Sequence, residues 1–246
     1  MKKSPLPAGE ASAGRDLRKF RSVSAWVFDL DNTLYPRHVN IYAQVDSRIR
    51  EYVQRLLKLG ADEAQTLQKD YYRRYGTTLR GLILEHGITP DDFLEYVHDI
   101  DHSPVQPDPA LADAIEALPG RKFILTNGSR RHAEKVAERL GVTRHFEDIF
   151  DIVSSNLLPK PGREAYDRFI AATGVKPGEA AMFEDLSRNL EVPHALGMAT
   201  VLVVPGGTRE IITEDWEMEG RDASFIDHVT DDLGGFLRSV GAAIKP

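Results

Sequence analysis

There is no cysteine among the 246 residues, which removes disulfides, thiol catalysis and cysteine-ligated zinc or iron–sulfur sites. Apolar runs of membrane-spanning length are missing too, so no transmembrane segment is expected. The opening from Met1 to Phe20 carries Lys, Arg, Pro, Gly and Ala but no apolar signal core. It reads as a flexible tail over residues 1–20, and the chain as a cytoplasmic protein without a membrane partner. Nor is there an excess of positive charge: 31 Lys and Arg against 38 Asp and Glu leave a net −7. That argues against non-specific nucleic-acid binding and leaves room for a local cationic pocket that attracts an anion. What is present, 41% hydrophobic and 28% charged residues, suits one sizeable core with a smaller lobe.

The stretch from Val23 to Leu34 organises the rest. Val27 and Phe28 have the β-branched and aromatic character of a buried strand, and the run is too short for a helix that must bury a face. It ends in Asp29 and Asp31, which alternation points to the same side. Two carboxylates so placed repel unless a cation joins them or one keeps its proton. Such a pair could hold Mg²⁺, a hard cation that takes a few carboxylates together with substrate phosphate oxygens. An Asp-Asn-Thr cluster after a strand is also ordinary turn chemistry.

A different texture follows. Ile41, Val45, Ile49, Val53, Leu56 and Leu57 form one helical stripe ending at Gly60, and further helical segments span 67–75 and 79–86. Thr89-Pro90-Asp91-Asp92 opens another, with a capping residue, a proline at the first position and acids in the first turn. The prolines of 103–109 then read as a stiff return. Residues 39–103 are thus expected to be an all-helical cap inserted into a core of residues 21–38 and 104–246. In that core strands at 121–127, 150–153, 180–183 and 200–204 alternate with helices at 130–140, 161–173 and 187–196. Ala223 to Val229 reads as an edge strand and Thr230-Asp231-Asp232 as the cap of a last helix. The alternation implies an α/β fold, a doubly wound, Rossmann-like parallel sheet whose site lies at the carboxyl ends of its strands.

At those ends stand Asp29 and Asp31, Thr126 and Asn127, and Glu184 and Asp185, with Lys160 in the loop leading into the helix after the third strand. Each alone has a plain reading as a turn, a cap or a solvated lysine; together they offer places for a metal, an anion and a nucleophile. Arg37 and His38 lie at the first hinge. Arg130, Arg131 and His132 read as exposed positions in the first turn of a helix, and Trp26, Phe28 and Tyr35 as core.

Asp29-Leu30-Asp31-Asn32-Thr33, Thr126-Asn127, Lys160-Pro161 and Glu184-Asp185-Leu186-Ser187-Arg188-Asn189, in that order, resemble the haloacid dehalogenase-like superfamily. More narrowly, residues 28–36, 75–82 and 183–190 look like its pyrimidine 5′-nucleotidase branch. The resemblance implies a Mg²⁺-dependent phosphatase acting on a small phosphate ester, a pyrimidine nucleoside 5′-monophosphate above all, with the helical lobe as a lid. Asp29 would be the nucleophile and Asp31 the general acid and base. Mg²⁺ would be held by the carboxylates of Asp29 and Asp185 and the backbone carbonyl of Asp31. Lys160 would offset negative charge, while the Thr126 hydroxyl and the backbone N–H groups of Leu30 and Asn127 would bind phosphate oxygens. Asn189 stands where many members carry a second aspartate, and Glu184 is expected to supply that charge at the metal, directly or through water. The acid at Asp31 favours phosphate esters over carbon–halogen bonds. Sugar-phosphate or phosphoglycolate phosphatase and phosphomutase activities are alternatives on the same fold, as is a non-catalytic anion-binding module. Residues 75–80, with Thr78 and Arg80, are the candidate substrate loop of the cap.

Overall fold

The computed structural model describes residues 16–206 and 222–245. Among them, strands β1 (Ala25–Phe28), β2 (Arg121–Leu125), β3 (Asp148–Phe150), β4 (Ala180–Glu184), β5 (Ala199–Val203) and β6 (His228–Thr230) form one sheet in the order β3-β2-β1-β4-β5-β6. Every neighbouring pair is parallel. This is the doubly wound arrangement expected from the alternation of apolar runs and helical stripes. Four helices, α1 (Ile41–Leu57), α2 (Ala61–Tyr75), α3 (Thr78–His86) and α4 (Pro90–Val97), follow β1. The remainder, α5 (Pro109–Glu116), α6 (Arg130–Leu140), α7 (Arg163–Thr173), α8 (Glu191–Ala195) and α9 (Leu233–Ile244), belong to the sheet's layers.

All residues of β1, β4 and β5 are buried, as strands covered on both faces must be, and this is why they read as continuous apolar runs. One face, with Trp26, Phe28, Ile124, Phe183 and Val201, packs on α5, α6 and α9 through Ile115, Val136 and Leu237. Phe28 stacks on Phe183 with ring centroids 4.6 Å apart, which locks β1 to β4 just below their functional ends. The opposite face, with Val27, Phe123, Met182 and Leu202, packs on Tyr166 and Phe169 of α7. Helices α1 to α4 enclose a separate core around Val53, Tyr71, Leu82, Phe93 and Val97. No helix among the described residues is long and apolar enough to cross a membrane.

Three sequence expectations are corrected. The tail drawn to residue 20 ends sooner: Asp16 caps a 3₁₀ turn, Leu17–Ser22, that seats Phe20 in the core against Trp26 and Phe236; residues 1–15 lie outside the described residues. The third strand occupies 148–150 rather than 150–153. Asp151 leaves the sheet to accept from the backbone N–H of Arg130 and of Ser154, both at 3.0 Å, and Ile152 packs into the core of the helical lobe. The proline-rich return stops at Asp108, whose carboxylate accepts from Leu111 N–H at 2.9 Å and so opens α5, with Pro109 at its first position.

Candidate active site

In an open parallel sheet, crevices form outside the carboxyl ends of the strands where the strand order reverses. Here that point lies between β1 and β4. The Asp29 N–H still bonds the Phe183 carbonyl at 2.9 Å, so Asp29 stands on the line of the sheet before the chain turns. The turn is tight: the N–H groups of Thr33 and Leu34 both bond the Leu30 carbonyl, at 3.3 and 3.0 Å. Asn32 takes the left-handed conformation, φ 60°, which asparagine tolerates better than most residues. The side chain of Leu30 is thereby placed in the core, and Asp29 and Asp31 are left at the sheet edge.

Lys160 ties the cluster together. It is 2% exposed, and its ammonium donates to Asp29 Oδ1 at 2.7 Å, Glu184 Oε1 at 2.7 Å and the Leu125 carbonyl at 2.8 Å. Those three bonds use all of its N–H donors. Its backbone is clamped from strand β2's end: Lys160 N–H donates to Asn127 Oδ1 at 2.9 Å, and Asn127 Nδ2 to the Lys160 carbonyl at 3.1 Å. The hydroxyl of Thr126 accepts from Gly128 N–H at 2.9 Å, and that of Thr33 donates to Asp29 Oδ2 at 3.1 Å.

Glu184 is engaged through both oxygens, with Asn189 Nδ2 at 2.6 Å on Oε1 beside the lysine and Leu186 N–H at 2.9 Å on Oε2. Asp185 receives Asn32 Nδ2 at 3.4 Å and pairs with Arg37 at 3.3 Å. Asp29, Glu184 and Asp185 each present an oxygen within 4.8 Å of the others. Burial pushes the Asp29 carboxyl up to about 7; Lys160 opposes this, while Glu184 and Asp31 add to it. Burial, Glu184 and Asp29 raise Asp185 likewise, against Arg37. Burial also works against the charge of Lys160, yet Asp29 and Glu184 outweigh it and hold the ammonium above its ordinary value. Three carboxylates against the Lys160 ammonium and the Arg37 guanidinium leave an excess of negative charge, and the donors are hard oxygens, so the cluster fits a divalent oxygen-seeking cation. Asn189 adds a buried amide oxygen with no hydrogen-bond partner among the described residues, a position suited to water or to a metal's surroundings.

Asp31 sits in a different environment. Its Oδ1 accepts from the Tyr35 hydroxyl at 2.5 Å and lies 2.9 Å from His132 Nε2. Burial alone would raise this carboxyl, but the charge and hydrogen bond of His132 and the Tyr35 hydroxyl outweigh it and hold it below the usual range. The reading of His132 as exposed is therefore corrected: it is 1% exposed. The signal lay in the spacing, because 132 continues the four-residue series of Val136 and Leu140 on the buried stripe of α6. Arg131 is exposed, as expected, and Arg130 pairs with Asp148 at 3.0 Å.

The helical lobe meets this edge at two places. Gly76, φ +85°, crosses the Lys160 loop so closely that a Cβ there would lie 2.9 Å from Pro159 Cγ, and only glycine suits both the conformation and the approach. Tyr72 of α2 lies under the Arg188 guanidinium, 4.2 Å from the ring centroid. Thr78 and Arg80 lie on α3 rather than in a loop; Thr78 is buried and donates to the Gln68 carbonyl at 3.2 Å, and Arg80 reaches the Leu157 carbonyl at 3.2 Å. A cavity of about 270 Å³ opens beside Asp185, with Asn32, Arg37 and Asp232 among its walls.

The haloacid dehalogenase-like hydrolase family matches this chain over residues 23–197. Phosphate metabolism protein 8 of Saccharomyces cerevisiae is 26% identical over 231 residues, covering 87% of this chain and 69% of that protein. L-2-haloacid dehalogenase from Xanthobacter autotrophicus, solved with chloropropionic acid covalently bound, superposes with a TM-score of 0.55 at 17% identity, covering 89% of this chain and 98% of that one. The HAD-hydrolase YfnB from Bacillus subtilis, solved bound to magnesium, gives a TM-score of 0.50 at 12% identity over 91% of this chain and 99% of that one. At these identities the two structures speak to the fold.

Proposed function

The chain belongs to the haloacid dehalogenase-like hydrolase family, and from that footing we propose that it is a Mg²⁺-dependent phosphatase working through an aspartyl-phosphate. The observation that carries the reading is the buried ammonium of Lys160 held 2.7 Å from both Asp29 and Glu184, with Asp185 alongside and Asp31 supported separately. A halide-releasing site needs no second acid; an ester-cleaving one does, because its leaving oxygen must be protonated.

Asp29 attacks phosphorus, and the bond from phosphorus to the ester oxygen breaks. Asp31 delivers a proton to that oxygen, then takes one from the water that attacks the aspartyl-phosphate, so the second step returns Asp29 and releases phosphate. Lys160 offsets charge on the nucleophile and on the transferring group, and the Thr126 hydroxyl with the N–H groups of Leu30 and Asn127 holds the phosphate oxygens. Bound to the carboxylates of Asp29 and Asp185 and the carbonyl of Asp31, with Glu184 and Asn189 behind, magnesium would keep Asp29 ionised and offset its repulsion from the phosphate. A phosphate dianion facing Asp31 works the other way there and favours its protonated form.

The substrate within this reading is a pyrimidine nucleoside 5′-monophosphate. The stretches at 28–36, 75–82 and 183–190 support it. So do Tyr42 on α1, which keeps 39% of its surface exposed, and Tyr72 on α2, both near enough to Asp185 that its charge helps to raise their hydroxyls; they are aromatic surfaces that the lobe offers to a base. The test is phosphate release, with and without Mg²⁺, from UMP, CMP, AMP, GMP, sugar phosphates and phosphoglycolate. Metal-dependent release from UMP and CMP is expected. Preference for a sugar phosphate would keep the chemistry and overturn the substrate; no release from any ester, by folded protein, would overturn both.

A further inference from the structure

The hydrogen bonds around Asp31 extend well beyond it, through a group of histidines that phosphoryl transfer at Asp29 does not require. His132 Nε2 lies 2.9 Å from Asp31 Oδ1, and its Nδ1 lies 3.0 Å from His102 Nε2. His102 Nδ1 in turn is 3.1 Å from the Ile100 carbonyl. His98 stacks on His132, ring centroids 4.7 Å apart and planes within 25°. It is itself anchored through Nδ1 to the Leu94 carbonyl at 2.9 Å and to the Ser129 hydroxyl at 3.1 Å. The three rings come from three places: the end of α4, the connection back to the core, and the first turn of α6.

We propose that His132 is the positioning residue for the Asp31 carboxylate, and that His102 fixes the orientation of His132. The proposal rests on the reading of Asp31 as general acid. The Ile100 carbonyl can only accept, so His102 carries its proton on Nδ1 and, being neutral, accepts at Nε2. His132 Nδ1 must then donate to His102, and its Nε2, the one ring atom left to face Asp31, donates to the carboxylate as the second N–H of an imidazolium paired with it. A flipped ring would lose that bond. At the other end, the His132 and Tyr35 bonds both land on Oδ1. Held from α6 and from the turn after β1, the carboxylate cannot rotate, and Oδ2 is the oxygen left for the leaving group. Helix packing alone gives no reason for this arrangement. Leucine at 132 would continue the apolar stripe of Val136 and Leu140, whereas burying imidazoles costs desolvation that only their hydrogen bonds offset.

Positioning of a general acid is read by leaving-group dependence, because a poor leaving group needs its proton and a good one does not. The experiment measures kcat/KM of the full chain with Mg²⁺ on aryl phosphates from p-nitrophenyl to phenyl phosphate. His132→Leu is expected to lose about 100-fold on phenyl phosphate and less than about 5-fold on p-nitrophenyl phosphate. His132→Gln, whose amide nitrogen reaches the place of Nε2, should recover at least about ten-fold of the loss. An equal loss on both esters, or none, would overturn the proposal. Asp31→Asn, run alongside, separates the two levels. If it steepens the dependence and His132→Leu does not, only the role of His132 fails; if it leaves the wild-type dependence, the role of Asp31 fails and the proposal with it. Should His132→Leu not fold, His102→Leu is compared with wild type: a steeper dependence supports the orientation chain, and an unchanged one overturns it.

Discussion

Replacing Lys160 by methionine keeps most of the buried stem and removes the charge. Three bonds disappear at once, and Asp29 and Glu184 lose the cation that both touch. Stranding a buried charge by deleting its partner costs about 3–5 kcal/mol. For a chain of this length each kcal/mol moves the melting temperature by about 2–4 °C, so Lys160→Met should melt about 6–20 °C below wild type at pH 8 without metal. The cost should depend on pH. Carboxylates can escape by binding protons, and Asp29 is already pushed up to about 7 with the lysine present, so at pH 5 the gap should shrink to a fraction of its pH 8 value. Mg²⁺ at pH 8 should close part of it by returning positive charge to the same oxygens. The assay is thermal unfolding by circular dichroism at both pH values, with EDTA and with Mg²⁺. Equal destabilisation at pH 5 and pH 8, or none at either, would refute the electrostatic role given to Lys160.

Asp185→Ala should weaken Mg²⁺ binding about ten-fold or more while leaving the fold intact, since it removes a carboxylate from the metal cluster; an unchanged calorimetric titration would reject it as a ligand. Without metal, the folded chain keeps a proton on Asp29 to about 7 where the ordinary value is 3.8. The stability from this group is therefore full below 3.8 and is lost as pH rises to about 7. Because Mg²⁺ must displace the protons that burial favours on Asp29 and Asp185, its affinity should climb by about ten-fold or more per pH unit below 7; a flat profile between pH 5.5 and 8 would contradict the raised carboxyls. Gly76→Ala should destabilise by about 1–3 kcal/mol, combining a strained positive φ with the clash on Pro159. Its kcat should fall too, since the displaced loop is the one carrying Lys160; wild-type melting and turnover together would show the approach is not tight.

The sheet was legible because every central strand is buried on both faces and so is written as an unbroken apolar run. Periodicity and punctuation announced the helical lobe equally well, down to Gly60 and the Thr89-Pro90 start. Local pattern failed where distant packing decides. Phe20 is one aromatic in a polar stretch, and nothing nearby says that Trp26 and Phe236 will receive it. Ile152 is apolar in either location, and only the tertiary fold sends it to the lobe instead of the sheet. The chemistry-bearing residues stood out as acids at strand ends, but their partnerships did not. Glu184 binds Lys160, and Asn127 clamps the Lys160 backbone, through contacts 24 and 33 residues away in the sequence. His132 is buried although a histidine after two arginines resembles a solvated helix start, because its four-residue spacing from Val136 and Leu140 puts it on the buried side.

The central claim is that the phosphoryl group passes through Asp29. Quenching the protein during turnover of p-nitrophenyl phosphate with Mg²⁺, reducing acyl phosphates with borohydride and sequencing the peptides by mass spectrometry tests it directly. Reduction at Asp29, absent without substrate and absent when EDTA replaces Mg²⁺, is the expected result. Reduction at another carboxylate, or undiminished phosphate release by Asp29→Asn, would contradict the account.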